Sequence, residues 1–232
     1  MGSTSGENGD SRNVREWLRS IEVFTGPLAR FDPTDAAEAP ADPNELFLRW
    51  LDEAVAAGVP DPHAMTLSTV DAEGYPDARM LILKNLDAAG WQFAVHAESP
   101  KGRQLQDRPK AALTFYWPLQ GRQVRVRGTV SPESADQSAA DLLARSPTAR
   151  ASALLGRQST YLESVQQRDA ALHDALSQVT ANPALVTPAW ILYTLVPVQT
   201  EFWQADKDRN HTRLRYERPD PAGAWQRHLL WP

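Results

Sequence analysis

The stretch that decides the fold is AMTLSTVDAEGYPDARMLILKNLDAAGWQFAVH, residues 64–96, in which short apolar runs alternate with turn residues. The runs are rich in β-branched, aliphatic and aromatic side chains, which is typical of strands. Asp, Asn and Gly between the runs, at 71–74 and 85–90, favour turns. The stretch therefore predicts three consecutive strands: Ala64–Val70, Arg79–Lys84 and Trp91–His96.

A hairpin is predicted downstream, with arms at 111–117 and 123–130 joined around Pro118–Gly121. In the second arm, Val124 and Val126 alternate with polar residues, which indicates a strand with one buried face. The same composition predicts four further strands: Trp190–Val196, Thr200–Trp203, Leu214–Glu217 and Trp225–Leu230.

Helical patterns surround these strands. Asp42 and Pro43 form a helix start, and the apolar residues after them recur at helical spacing until Gly58. Further helices are predicted at Val14–Val23, from Ser131 to Arg145, at Ala149–Leu155 and at Tyr161–Val179. Strands grouped together without βαβ alternation indicate an α+β protein that is mainly β, with an antiparallel barrel or sheet and helices packed around it. We expect a disordered or extended arm over residues 1–40 and a single domain over residues 41–232.

Composition excludes several classes of function. The net charge of the 232 residues is −5, which disfavours a general nucleic-acid binder. The chain has no cysteine, no secretory signal pattern and no apolar run long enough to span a membrane, so a cytoplasmic protein is expected. Its five histidines lack metal-site spacing, and the P-loop, G-x-G-x-x-G and G-x-S-x-G motifs are missing.

The stretch EFWQADKDRNHTRLRY, residues 201–216, carries the most concentrated chemistry. Arg209, His211 and Arg213 are spaced i, i+2, i+4, so an extended chain would place them on one face, near Trp203. Arginines beside an aromatic ring suit a flat, anionic ligand. The alternative is a charged edge strand that discourages aggregation, which would leave Arg215 and its neighbours in solvent.

Three other stretches carry weaker signals. Ser99, Pro100 and Lys101 form a capped helix start, which can bind a phosphate but is also common on ordinary surface helices. Arg79 and Lys84 end an apolar strand, where cations often serve only solubility. Gln158 and Ser159 lie between two helical stretches and could simply cap the second.

Taken in order, these blocks resemble one family, the pyridoxamine 5′-phosphate oxidases. The resemblance rests on AMTLSTVDAEGYPDARMLILK (64–84), SPKGRQL (99–105), FYWPLQGRQVRVRG (115–128), GRQS (156–159), EFWQ (201–204), RNHTRLRY (209–216) and RHLLWP (227–232). It covers residues 40–232 and implies an antiparallel split β-barrel that forms a homodimer with FMN at the subunit interface. The intact cofactor blocks favour FMN over a deazaflavin.

The resemblance also implies the roles of individual residues. The FMN-binding positions of the family match Arg79, Met80, Leu81, Ile82, Leu83, Lys84, Ser99, Lys101, Gln123, Gln158, Ser159, Trp203 and Arg213. The residues that orient the substrate match Arg209 and His211, and those that hold its anionic group match Lys84 and Arg145.

The substrate side departs from the family pattern. A tyrosine position of the phosphate pocket falls on Asp141 and a serine position on Ala149, while Asn210 and Thr212 replace a leucine and an aspartate. An acid close to a phosphate is repulsive, and a lost hydroxyl leaves the anion with fewer donors. The branch of the family that oxidises phenazine precursors departs at similar places, and its HA-x-S-x-KG pattern resembles residues 96–102.

The expected function is therefore an FMN-dependent oxidase that transfers hydride from a substrate C–H to flavin N5 and is reoxidised by dioxygen, giving hydrogen peroxide. Its substrate would be a vitamin B6 phosphate, on the route to pyridoxal phosphate. One alternative is the oxidation of another cyclic metabolite, such as a dihydrophenazine precursor, and another is a non-catalytic flavin-binding protein.

Overall fold

The computed structural model describes residues 13–220 and 222–232, which form one antiparallel sheet with helices around it. The helices are α1 Val14–Ser20, α2 Pro43–Ala56, α3 Pro100–Asp107, α4 Ala135–Leu143, α5 Pro147–Leu155 and α6 Val165–Ala181. The strands are β1 Ala64–Val70, β2 Pro76–Ile82, β3 Asn85–Asp87, β4 Gly90–His96, β5 Lys110–Trp117, β6 Arg122–Pro132, β7 Trp190–Gln204, β8 Thr212–Glu217 and β9 Gln226–Leu229.

The sheet branches at its longest strand, β7. Strands run in the order β2-β1-β5-β6-β7-β4-β3, and β8 with β9 extends from the other half of β7. Residues 190–195 of β7 pair with β4, whereas residues 199–204 pair with β8. The sheet is therefore open, and the predicted α+β, mainly β class with antiparallel strands is confirmed.

The core lies between the sheet and α2. Asp42 caps this helix through a 2.9 Å bond from the backbone N–H of Asn44, as the sequence predicted. The apolar face of α2 places Phe47 with its ring centroid 4.3 Å from that of Trp91, and Trp50 with its centroid 5.2 Å from that of Phe202. These rings are almost wholly buried, so their burial is a main source of stability.

The predicted alternation along β6 is confirmed. Val124 and Val126 are fully buried, while Gln123, Arg125 and Arg127 point to the opposite, more exposed face. The predicted hairpin around 118–121 is also present, because β5 and β6 pair from Trp117 and Arg122 outward.

Two strand predictions need correction. The second strand was predicted at 79–84, but β2 spans 76–82 because its register with β1 begins at the pair Val70 and Pro76. Beyond it, the Lys84 N–H donates to the carbonyl of Gln92, and residues 85–87, predicted as a turn, pair with β4. The two strands predicted at 190–196 and 200–203 are one strand, since β6 pairs with both parts across a bulge at Arg127 and Gly128.

Two helix starts also differ from prediction. Residues 131–132 continue β6, and α4 begins only after Ser134, whose side chain forms a capping box with Gln137. Residues 161–164 precede α6, which begins at Val165 after the cap Ser164. In both cases a capping side chain overrides apolar patterning, because it bonds to helix N–H groups that have no partner within the helix.

The arm before α2 packs against the sheet and α2. Phe31 lies edge-on to Trp50, with ring centroids 5.2 Å apart. The Tyr216 hydroxyl donates to the carbonyl of Pro40 at 2.8 Å, and Arg227 donates to that of Ala39. Residues 1–12, part of the disordered or extended arm expected over residues 1–40, and Pro221 lie outside the described residues. No helix among the described residues is long and apolar enough to cross a membrane.

Candidate functional site

Most of the predicted site residues between positions 79 and 159 surround two neighbouring pockets. We call the first, of about 280 Å³, the inner pocket. The second, of about 330 Å³, is the outer pocket. Predicted site residues that line the inner pocket are Met80, Leu81, Ile82, Lys84, Lys101, Arg145 and Gln158. Those that line the outer pocket are Arg79, Met80, Leu81, Lys101, Gln158 and Ser159. Leu83 and Ser99 line neither.

Lys101 is the buried cation shared by both pockets. The residue is 7% exposed, and burial lowers the pKa of its ammonium group, with the nearby charge of Arg79 acting in the same direction. Its ammonium group donates to the side-chain oxygen of Gln158. Within the described part of the chain, no carboxylate lies within 4.0 Å of it. A buried ammonium without a contacting carboxylate is a favourable place for an incoming anion.

Ser99 positions this lysine by starting α3. Its hydroxyl donates to the carbonyl of His96 at 2.7 Å and accepts from the N–H of Gly102 at 3.2 Å. A Cβ on Gly102 would lie 2.4 Å from the carbonyl oxygens of His96 and Ala97, so only glycine allows α3 to pack this closely. Ser99 is fully buried, and its structural contribution is therefore to hold the start of α3 beside the pockets.

The loop after α5 brings Gln158 to Lys101. Gly156 ends the helix with φ 63°, and Ser159 also has a positive φ of 69°. Gly156 is thus in the left-handed conformation, which favours glycine at a helix end. The alternative that Gln158 and Ser159 cap the next helix is wrong, because Ser164 caps α6.

Arg79 is held by its own chain at the edge of the outer pocket. Its guanidinium forms an ion pair with Asp77 and donates to Thr69 Oγ1 at 2.6 Å. Burial alone would raise the pKa of Asp77, but the Gln104 hydrogen bond and the Arg79 charge outweigh it, and the pKa is lowered. The arginine is thus fixed in position, with part of its charge already compensated.

Lys84 and Arg145 meet two residues that the sequence did not assign to a binding role. The Lys84 ammonium lies 3.3 Å from Asp141 Oδ1. Trp190 donates its indole N–H to Asp141 Oδ2 at 2.8 Å, and the Arg145 guanidinium stacks on the Trp190 ring, 4.4 Å from its centroid. Asp141 therefore lies directly behind two residues that line the inner pocket, Lys84 and Trp190.

The remaining predicted cofactor residues form a row across the second half of the sheet. Gln123 on β6 is paired with Trp203 on β7, and Trp203 is paired with Arg213 on β8. Cross-strand partners project to the same face, so these three side chains lie side by side. The Arg213 guanidinium also donates to the carbonyl of Trp231 at 3.0 Å.

Glu201 is a residue of this face that sequence reasoning missed. It is 2% exposed and accepts from Arg213 at 2.8 Å and from Arg215 at 3.0 Å. Burial alone would raise its pKa, but the hydrogen bonds and charges of the two arginines lower it overall. The expectation that Arg215 is only a solvated charge is therefore wrong. The spacing of Glu201 and Trp203 already indicated that both side chains share one strand face. The sequence did not reveal that β8, with Arg213 and Arg215, would lie opposite Glu201.

The prediction that Arg209, His211 and Arg213 lie on one strand face is wrong. β8 begins at Thr212, and Arg209 has a positive φ of 67° in the preceding turn. The Asp206 side chain accepts from the backbone of Asp208 and Asn210, which closes the turn. His211 nevertheless reaches Trp203, with ring centroids 4.9 Å apart. Its Nδ1 accepts from the N–H of Asp206 at 3.0 Å, which leaves Nε2 as the donor of the neutral ring.

The two groups of residues lie at opposite ends of β7. Trp190, at its first position, lines the inner pocket, and Trp203 stands next to its last. Thirteen strand residues span roughly 40 Å, which exceeds the length of a mononucleotide. Neither pocket is lined by Gln123, Trp203, Arg209, His211 or Arg213.

Comparison with known proteins accounts for this arrangement. Residues 51–181 match the family model described as pyridoxamine 5′-phosphate oxidase, and residues 190–232 match the pyridoxine 5′-phosphate oxidase C-terminal dimerisation region. The chain therefore belongs to the pyridoxamine 5′-phosphate oxidase family. The pocket residues fall in the first region, and Trp203, Arg209, His211 and Arg213 fall in the dimerisation region.

Relatives from two bacteria illustrate the likeness. The pyridoxine/pyridoxamine 5′-phosphate oxidase of Bordetella pertussis is 41% identical over 197 residues, covering 84% of this chain and 91% of that protein. The protein of the same name from Cupriavidus necator is 40% identical over 208 residues, covering 88% of this chain and 94% of that protein. These relatives support an oxidoreductase.

Solved structures support the fold. PhzG from Burkholderia lata, in complex with tetrahydrophenazine-1-carboxylic acid, superposes with a TM-score of 0.81 at 30% identity, covering 89% of this chain and 100% of that one. A pyridoxamine 5′-phosphate oxidase-related, FMN-binding protein from Nostoc punctiforme gives a TM-score of 0.66 at 19% identity, covering 82% and 98%. At 19% identity, the Nostoc punctiforme structure supports the fold assignment only. Both structures agree with the expected split barrel.

Proposed function

We propose that the protein is an FMN-dependent oxidase of the pyridoxamine 5′-phosphate oxidase type. The observation that carries the proposal is the buried ammonium of Lys101. It lies between two pockets with a glutamine oxygen and, among residues 13–220 and 222–232, no contacting carboxylate. Family membership supports the same assignment. A phosphate group would supply the missing negative charge.

The residues present fit FMN. Lys101, Gln158 and Ser159 would hold its phosphate at the start of α3, with Arg79 adding charge at the pocket edge. Gln123, Trp203 and Arg213 would hold the ring end, because their row offers an amide, an aromatic ring and a cation on one face. When bound, FMN supplies a two-electron acceptor that takes hydride from a substrate carbon and passes electrons to dioxygen.

The substrate side combines residues of both groups. His211 would donate from Nε2, because its Nδ1 is occupied by the Asp206 N–H. Arg209, on the exposed turn, would close over the substrate, and Lys84 with Arg145 would hold an anionic group in the inner pocket. These residues contribute placement and electrostatics rather than covalent chemistry.

A homodimer would complete the site. Within one chain, roughly 40 Å of β7 separates the inner pocket from Trp203. The match of residues 190–232 to a dimerisation region supports a second subunit as the source of the ring-binding group. Each of two equivalent sites would then combine the pockets of one chain with the β6–β8 row of its partner.

A second candidate function is the oxidation of a cyclic metabolite other than a vitamin B6 phosphate. The observation that favours it is the ion pair of Asp141 with Lys84, which compensates the cation expected to hold a substrate phosphate. The likeness to PhzG, whose solved complex contains a tetrahydrophenazine carboxylic acid, points the same way.

Anaerobic reduction of the bound flavin tests both candidates. The purified protein is loaded with FMN and mixed without oxygen with pyridoxine 5′-phosphate or with a dihydrophenazine carboxylic acid. We expect the absorbance of oxidised flavin to disappear with a true substrate and to return when air is admitted. Loss with pyridoxine 5′-phosphate supports the first function, and loss only with the cyclic carboxylate supports the second.

Free FMN with each compound is the control for reaction without protein. Bound FMN that neither compound reduces would indicate a non-catalytic flavin-binding protein. A protein that takes up no FMN would contradict the proposal altogether.

A further inference from the structure

An acid lies against two lining residues of the inner pocket, in a region where an anion-binding site ordinarily presents only cations and neutral donors. Asp141 is fixed from two sides, by the Lys84 ammonium at 3.3 Å from Oδ1 and by the Trp190 indole N–H at 2.8 Å from Oδ2. Its side chain is only 13% exposed. The three residues come from α4, from the segment after β2 and from the start of β7, so the fold fixes the acid directly behind the pocket lining.

Among the residues that the structure describes, three cations line the inner pocket: Lys84, Lys101 and Arg145. Lys101 is assigned to the cofactor phosphate. Lys84, Arg145 and the Asp141 that pairs with Lys84 together leave one positive charge for the substrate. His96 also lines the pocket, but burial lowers its pKa, so it is neutral near pH 7. Lys101 lies at the boundary with the outer pocket, where its ammonium contacts Gln158.

One donor remains for a ligand. The Nε of Arg145 is buried and has no hydrogen-bond partner among the described residues, while its guanidinium carbon lies 4.4 Å from the centroid of the Trp190 ring. A buried donor without a partner is costly, and a ligand oxygen would satisfy it. The inner pocket therefore offers a single anionic group the Nε–H of Arg145 and the ammonium of Lys84, whose charge is partly compensated by Asp141.

We propose that Asp141 sets the charge selectivity of the inner pocket, so that it accepts a ring substrate with one negative charge, such as a carboxylate, over a phosphate dianion. A monoanion matches the single net positive charge. A dianion leaves an excess negative charge close to Asp141, and like charges repel in a partly buried site. The proposal rests on the proposed function, because it assigns the inner pocket to the substrate.

Binding of two matched probes to the FMN-loaded protein tests the selectivity without requiring turnover. The probes are 4-deoxypyridoxine 5′-phosphate, whose phosphate is largely a dianion above pH 7, and its phosphate monomethyl ester, which carries one charge. Dissociation constants are measured by calorimetry at pH 7.5. We expect the wild-type protein to bind the ester at least as tightly as the dianion.

Asp141→Asn is the decisive variant, since it removes the charge and keeps an oxygen to accept the Trp190 indole N–H. We expect it to tighten dianion binding about tenfold and ester binding less than threefold, in line with the loss of one repulsive charge. Asp136→Asn is the matched control, because Asp136 is exposed in the first turn of the same helix. It should leave both constants unchanged.

An unchanged ratio of the two constants in Asp141→Asn overturns the proposal. If this variant does not fold, wild-type binding decides, and dianion binding ten times tighter than ester binding overturns it. FMN content is measured in every sample. A protein without FMN contradicts the proposed function, whereas bound FMN with unchanged probe selectivity contradicts only the role of Asp141.

Discussion

Glu201 joins two arginines on the face that we propose binds the flavin ring. It is nearly inaccessible, and it joins Arg213, which we assign to the cofactor, to Arg215, which has no assigned ligand. Arg125 also approaches it, at 4.0 Å. A buried carboxylate shared among arginines fixes their guanidinium groups before any ligand arrives, and this lowers the entropy lost on binding.

Replacing Glu201 with Gln should destabilise the protein by about 2 kcal/mol at pH 7, because charged hydrogen bonds to two arginines are lost. The pKa of Glu201 is lowered from its ordinary value of 4.5 by folding. Its stabilising contribution is therefore complete above about pH 4.5 and is lost as the pH falls through the lower, folded-state pKa. Urea denaturation of both proteins between pH 7 and pH 3.5 measures this.

The difference between wild type and variant should shrink as the pH falls through that range. Glu217→Gln is a control, since Glu217 also pairs with Arg215 but is far more exposed. A difference that stays constant down to pH 3.5 would show that Glu201 contributes through packing rather than through its charge.

At the residue scale, the sequence predicted which cations belong to the candidate site better than it predicted which carboxylates they pair with. The cations of the site could be named from their motifs, but Lys84 and Arg213 pair with carboxylates that lie on other elements of the fold. Which carboxylate meets which cation depends on strand register and on the position of α4. Neither is encoded in the local pattern that identifies the cations.

Among the elements, α3 depends most on a single position. Its start packs so closely on the preceding loop that Gly102 has no room for a methyl group. Because Lys101 is adjacent, any displacement of the helix moves the buried ammonium away from Gln158.

Gly102→Ala should therefore destabilise the protein by about 1–3 kcal/mol through overpacking and weaken FMN binding more than tenfold. Thermal unfolding and flavin fluorescence titration measure the two effects. Gly26→Ala is the matched control, because a Cβ there meets no atom within 4 Å and its φ is not strained. Normal FMN affinity in Gly102→Ala would show that the position of α3 is not important for the cofactor.

The turn before β8 shows why the strand prediction at 209–213 was wrong. Alternation was assumed to extend back from Arg213, but the Asp206 side chain accepts two backbone N–H groups and closes a turn instead. An aspartate that bonds to its own chain two residues later is a local signal of a turn. The extent of the turn is not set locally, because the pairing of β8 with β7 sets where the strand begins.

For the whole molecule, the proposed division of the site between two chains predicts that defective subunits can complement each other. Lys101→Met damages the pocket group, and Arg213→Met damages the ring-binding row. In a hybrid dimer of these variants, one of the two sites combines the intact halves. Random mixing gives equal numbers of hybrid and parent dimers, so about a quarter of all sites should bind FMN.

The measurement is bound flavin after the two variants are unfolded, mixed and refolded, with each variant refolded alone as the control. FMN content in the mixture no higher than in the separate variants would place each complete site within one chain. Gel filtration of the same samples shows whether dimers formed.

The overall architecture was accessible from sequence because its strands alternate and its blocks resemble a known family in order. The branching of the sheet could not be predicted from the sequence, which shows two short strands where β7 is continuous. Pro197 interrupts the apolar pattern of β7, and β6 has a bulge at Gly128, but the two strands remain paired on both sides. Long-range pairing of this kind is decided by the whole sheet.

The hydrogen bonds that anchor the arm have a consequence for the order of folding during translation. Pro40 and Ala39 leave the ribosome long before their hydrogen-bond partners, Tyr216 and Arg227, are synthesised. Contacts between such distant parts of a chain form late and slow folding. During translation, the buried face of the arm therefore stays uncovered until β8 and β9 have formed, and Phe31 and its neighbours are accessible to chaperones for that time.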